Sequence, residues 1–184
     1  SDRNPNLRES WTLVAALTKI AIVLSLLPHV LAGGGWEFVI AQVVPGVPLV
    51  LRVDAMGMFF ALVASALWFF TSLYSIGYMR ALQEHDQTRY FASFAMAISA
   101  TIGVAFSANL LTLYLFYEVL SLSTYPLVTH EGNAEARASG RKYLTYILGT
   151  SIGLALPAML ITYGLAGTLD LRHGGILDGN DSGT

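Results

Sequence analysis

There is no cysteine anywhere in the 184 residues. That excludes disulfides, thiolate metal sites, iron–sulfur clusters and cysteine nucleophiles together. Charge is scarce as well: Asp, Glu, Lys and Arg make up 12% of the chain, where soluble domains carry roughly 25%. A net charge of −2, with no cluster of Lys and Arg, excludes a basic nucleic-acid binder. The sequence has no Walker A loop, dinucleotide glycine fingerprint, HExxH helix or nucleophile elbow. Asp178-Gly179-Asn180-Asp181 opens like a calcium loop but the chain stops before the twelfth ligand, so a flexible Gly/Asp-rich end is the better reading. No cofactor site, metal site or redox centre is therefore expected in this chain. In a redox machine the electron carriers would sit on another subunit, and whether the whole is an enzyme stays open.

Apolar residues, by contrast, are plentiful: 54% of the chain, with a mean hydropathy of +0.58. A membrane span takes about 20 of them in a row. Such stretches fall at approximately 11–32, 56–79, 91–107, 110–129 and 143–166. The expected fold class is an all-α polytopic membrane protein of about five transmembrane helices, a single membrane domain over 1–184. Between the first two spans, residues 36–53 place β-branched residues around Pro45-Gly46-Val47-Pro48, which predicts a short β-hairpin with a Pro-Gly turn. Lipid would leave its edge groups unpaired, so the hairpin belongs outside the hydrocarbon. From Phe91 to Thr129 there is a single charge, and Ser107-Ala108-Asn109 is where two spans are joined. The start at Ser1, polar and without Met, does not resemble a signal peptide. Together with the unclosed end it predicts a piece of a longer chain.

Basic residues orient the spans. Arg3, Arg8, Arg80, Arg89, Arg137, Arg141 and Lys142 fall on one side, Arg52 and Arg172 on the other. Positive charge favours the cytoplasm. The N-terminus and loops 80–90 and 130–142 are expected there, with the hairpin and C-terminus extracytoplasmic.

Glu118 is the residue most able to carry chemistry. It lies near the centre of the fourth span, where an acid costs about 2.5 kcal/mol or more to insert and should face protein or an aqueous cavity. Tyr114, Glu118, Ser121 and Tyr125 share one helix face and form a polar stripe on an apolar helix. A carboxyl held between desolvation and a cationic partner can load and release a proton. The competing reading is structural: a membrane anchor in which Glu118 is buried glue between helices. Lys19 lies inside the first span and either snorkels to the interface or touches a neighbouring helix. His130, after the fourth span, is a possible proton-entry group or a solvated loop histidine. Lys142 reads as an interfacial anchor or relay. Gly149-Thr150-Ser151-Ile152-Gly153 has the GxxxG spacing of close helix packing, and Pro157 frees a backbone carbonyl near Gly153.

The run Asn109-Leu110-Leu111-Thr112-Leu113-Tyr114-Leu115-Phe116-Tyr117-Glu118, continuing to Tyr125-Pro126, resembles the acid-bearing helix of the antiporter-like membrane subunits. These occur in NADH:quinone oxidoreductase (complex I), Mrp-type cation/proton antiporters and membrane-bound hydrogenases. Val53-Asp54, Tyr74-Ser75-Ile76-Gly77-Tyr78, Arg89-Tyr90-Phe91, Ala138-Ser139-Gly140-Arg141-Lys142 and Gly167-Thr168-Leu169-Asp170 agree in order. The general character is closest to the D-type subunit of Mrp antiporters. The resemblance implies a proton/cation-translocating subunit of about fourteen helices built on inverted repeats, working in a bacterial-type inner (cytoplasmic) membrane. It implies that Glu118 pairs with a lysine on a later helix, that the first family helix precedes Ser1, and that everything after the sixth follows Thr184. Partners would be other membrane subunits of the complex, the remainder of its own chain, the lipid bilayer, protons and Na+, but no nucleic acid. A proton-pumping subunit of complex I or of a hydrogenase is the alternative.

Overall fold

The computed structural model describes residues 4–44, 46–172 and 174–177, so Arg3, Pro45 and the segment resembling a calcium loop lie outside the described residues. Helix α1 (Pro5–Leu31) leads into a hairpin of β1 (Trp36–Val44) and β2 (Val47–Val53). Helices α2 (Ala55–Ala81), α3 (Gln87–Ala105) and α4 (Leu110–Val128) follow. A final rod consists of α5 (Ala134–Thr150), a π-helical turn (Ser151–Ala155) and α6 (Leu156–Ala166). Neighbours in sequence pack together along the row α1, α2, α3, α4, α5.

Each expected span falls on one of these rods. By length and composition four can cross a membrane: α1, α2, α4 and the rod from Ala134 to Ala166. Helix α3 is more polar, with Arg89, Ser93, Ser99 and Thr101 on it, and it packs between α2 and α4. The chain is a multi-pass helical membrane protein with a small two-stranded sheet.

Two helices start well before their apolar stretches. The polar leader up to Ser10 is helical from Pro5, whose missing N–H costs nothing in a first turn. Its charges are matched across the bundle: Arg80 of α2 donates from Nε to Glu9 at 2.8 Å and also through Nη2, while Arg8 bonds Gln87 of α3. Likewise most of the expected loop 130–142 is helix, started by Asn133, whose Oδ1 accepts the Ala136 N–H at 2.6 Å.

The hairpin forms as expected, with Trp36 opposite Val53 and Val44 opposite Val47. Gly46 takes φ +82°, the left-handed turn conformation that glycine adopts without strain. The chain between α3 and α4 covers the free edge of β2. Arg52 N–H donates to Phe106 O at 2.6 Å, and Ala108 N–H donates to Val50 O at 3.0 Å. Beyond it, Leu171 N–H reaches Ala108 O. Asn109, buried, pins this junction: Oδ1 accepts the Thr112 N–H at 2.8 Å and Nδ2 donates to Pro48 O at 2.8 Å. The expected turn at 107–109 is therefore also the seat of the hairpin. Two apolar clusters sit beside it, one of Val23, Val30, Met58, Ala61 and Phe106, the other of Val47, Leu111, Met159 and Leu169. Many large apolar side chains, such as Phe59, Phe70 and Leu154, are exposed. That suits a surface solvated by lipid or by further helices rather than by water.

Candidate functional site

Helices α4 and α5 run antiparallel, and their contacts form a ladder. At one end Gly140 approaches so closely that a Cβ there would lie 2.3 Å from Thr129 Cγ2 and 2.9 Å from the Tyr125 ring. One step along, Thr124 and Tyr143 share a hydroxyl hydrogen bond. Further still, Ser151 donates its hydroxyl to Oε1 of Glu118. Glycine at position 140 thus lets the backbones close, and closure brings Ser151 to the carboxylate. Glu118 is half-buried and Ser151 buried. Among the described residues Ser151 is the one hydrogen-bond partner of Glu118.

Ser151 also opens the π-helical turn. The cause lies in Pro157, which has no N–H to donate and whose ring would press on the carbonyl of Gly153 in a regular helix. Widening the turn relieves that clash, and such turns recur at functional sites. A serine hydroxyl both donates and accepts, and a carboxyl group accepts when ionised and donates when protonated. The pair can therefore stay bonded in either protonation state.

The rest of the expected stripe makes other contacts. Tyr114 packs beside the cluster of Val47, Leu111, Met159 and Leu169. Ser121, buried, gives its hydroxyl to Tyr117 O of its own helix at 2.9 Å. Tyr125 lies against Gly140. Lys142 is exposed on α5. The glycines of the GxxxG spacing, Gly149 and Gly153, face open space, so among the described residues that spacing packs nothing. It is Ser151, between them, that makes the contact. A hydroxyl inside an apolar span six residues before a proline was the available signal.

Lys19 does not reach the polar end. Its ammonium lies buried over the Trp68 ring of α2, 4.1 Å from the centroid, with no hydrogen-bond partner among the described residues. Ser65 Oγ, Trp68 Nε1 and Ser72 Oγ on α2 are buried and unpartnered in the same way. His130 is not a solvated loop residue. It stacks on His85 with centroids 4.9 Å apart, and both its ring nitrogens are buried without a hydrogen bond.

A row of apolar rods holding one half-buried carboxyl at a distorted helix turn defines a polytopic membrane protein with a polar centre between its helices. Residues 107–177, which include Glu118 and Ser151, match the transmembrane model of the NADH:quinone oxidoreductase/Mrp antiporter family, and the chain is similar to antiporter-like membrane subunits. Over 166 residues, 88% of the chain, it is 33% identical to a probable K(+)/H(+) antiporter A/B subunit of Rhizobium meliloti. Over 120 residues, 64% of the chain, it is 33% identical to the N subunit of NADH-quinone oxidoreductase of Brevibacillus brevis. The chain spans only 16% of the first relative's length and 23% of the second's. Its fold is also that of a chain in the membrane-bound sulfane sulfur reductase, an archaeal respiratory complex, with a TM-score of 0.75 at 20% identity, covering 92% of this chain and 36% of the other.

Proposed function

We propose that this chain is part of a proton/cation-translocating subunit of a multi-subunit membrane complex, with Glu118 as the carboxyl that loads and releases the proton. The observation that carries the reading is the bond between Glu118 and Ser151 at the π-helical turn. It leaves the carboxyl half-open and able to keep its partner in both protonation states. A carboxyl serving only as glue would be expected fully enclosed and fully paired. In this reading Ser151 holds Glu118 in place, while a lysine elsewhere in the full-length protein sets its charge.

The similarity to a K(+)/H(+) antiporter protein supports an Mrp-type complex moving a monovalent cation, K+ or Na+, against protons. The similarity to the N subunit of NADH-quinone oxidoreductase supports the second reading, a proton-pumping member of that complex. In either, the five rods are five spans in a bacterial-type inner membrane. The end holding Arg8, Arg80, Arg89 and Arg137 faces the cytoplasm, and the hairpin faces away. Tyr114, Ser121, Tyr125, Lys19, His130 and Lys142 are secondary.

The test is Glu118→Gln in the intact complex. Pumping should fall by roughly a hundredfold or more, the scale of a lost acid–base group, with assembly intact. Normal pumping in a correctly assembled complex would end the proposal.

A further inference from the structure

At the end of the bundle where α2 turns into α3, the chain brings together three side chains that sequence distance keeps apart. Glu84 and His85 lie in the α2–α3 turn, and His130 follows α4. Glu84 Oε2 is 3.7 Å from His85 Nδ1 and 3.8 Å from His130 Nε2, and one ligand atom from each of the three residues lies within 4.8 Å of the others. Tetrahedral zinc with bonds of about 2.0–2.2 Å sets its ligands roughly 3.3 Å apart. His85 and His130 are stacked with their rings 25° apart, so one imidazole turns out of the stack for both lone pairs to meet at one ion.

Three details favour a metal over a simple ion pair. His85 Nε2 is 3.0 Å from the His130 carbonyl, and donation there fixes the tautomer that leaves Nδ1 with a free lone pair facing Glu84. His130 keeps both ring nitrogens buried without a hydrogen bond, Nε2 having only the Glu84 carboxylate at 3.8 Å, which ordinarily costs free energy unless something binds them. The turn is also held in an uncommon shape: Gln83 and Asp86, which flank the pair, have φ +51° and +48°, the only positive values at non-glycine residues among those described. The nearby cation Arg89 donates to the same His130 carbonyl at 2.8 Å, and its charge is offset by Asp86 at 3.4 Å.

We propose that Glu84, His85 and His130 form a binding site for a divalent cation of the zinc class, clasping the α2–α3 turn to the end of α4. Two imidazoles and one carboxylate suit zinc, and they are too few and too nitrogen-rich for calcium or magnesium. The fourth position would be water. The site lies apart from Glu118 and does not depend on the transport reading.

The experiment is a Zn2+ titration of the full-length protein in its complex, purified on a tag without histidine and stripped with a chelator. Calorimetry gives the stoichiometry, and Co2+ in place of Zn2+ gives a tetrahedral visible spectrum. The intact protein should bind one equivalent more than His130→Asn, which keeps a polar side chain of similar reach. His85→Ala and Glu84→Gln should each weaken binding by about tenfold or more, while His29→Ala, beside Trp36 near the hairpin, leaves it unchanged. Melting of the metal-free variants alongside the parent checks that they fold, and Zn2+ should raise the melting temperature of the parent alone. Equal Zn2+ uptake by parent and His130→Asn, or no tetrahedral Co2+ spectrum in the parent, would overturn the site.

Discussion

Glu118 and Lys19 are charged side chains set within the apolar stretches of their helices, and they are held in opposite ways. Glu118 on α4 has a hydroxyl bonded to it from the next helix, at a turn that departs from α geometry. Among the described residues Lys19 on α1 has no hydrogen-bond partner and rests on the face of Trp68, with the buried Ser65 and Ser72 hydroxyls of α2 likewise without one. The first arrangement is specific, directional and able to exchange a proton without coming apart. The second is an ammonium accommodated by a ring and a greasy stem, worth about 0.5–2 kcal/mol as a cation–π contact. Buried charge alone therefore does not distinguish the two. The quality of the contact does.

Substitutions can break or sharpen that contrast. The largest effect is expected at Glu118→Gln, described above. Next comes Ser151→Ala, which removes a hydrogen bond to a carboxyl worth about 1.5–3 kcal/mol. Pumping should drop but survive, while Ser151→Thr restores most of it. Gly140→Ala presses a methyl onto Thr129 and Tyr125. It should lower stability by about 1–3 kcal/mol, read as a lower melting temperature, and weaken pumping only through the displaced Ser151. Smallest is Lys19→Met, which trades one cation–π contact for an end to a buried unpaired ammonium. Stability should move by about 1 kcal/mol or less, with pumping unchanged. A large pumping loss at Lys19→Met would erase the contrast, because it would make both charges part of one path.

Much of the fold was legible before the structure because its causes are local. Long apolar runs gave the rods, Pro45-Gly46 among β-branched residues gave the hairpin, and Asn109 gave the start of α4. Helix ends were legible only where apolar character and helix end together. Helix α1 continues back to Pro5 because Glu9 and Arg8 find partners on Arg80 and Gln87, more than seventy residues away. No window of sequence contains that information. The site was half legible. A lone acid in an apolar span announces itself, but Ser151 was hidden inside a glycine spacing that suggested packing. The π-helical turn that presents it has no periodicity of its own. His85 and His130 likewise carry no spacing signal, since only the fold makes them neighbours.

The π-helical turn has one more consequence, for how a single rod serves two masters. A π turn amounts to one residue added to an α-helix, and one residue is about 100° of rotation. Helix α6 is thus out of phase with α5. Ser151 points at Glu118, and on the far side of the phase slip Met159 points into the cluster of Val47, Leu111 and Leu169 beneath the hairpin. An unbroken α-helix would have to choose between those two alignments. Like a keyed shaft, the rod indexes its polar contact and its apolar seat independently.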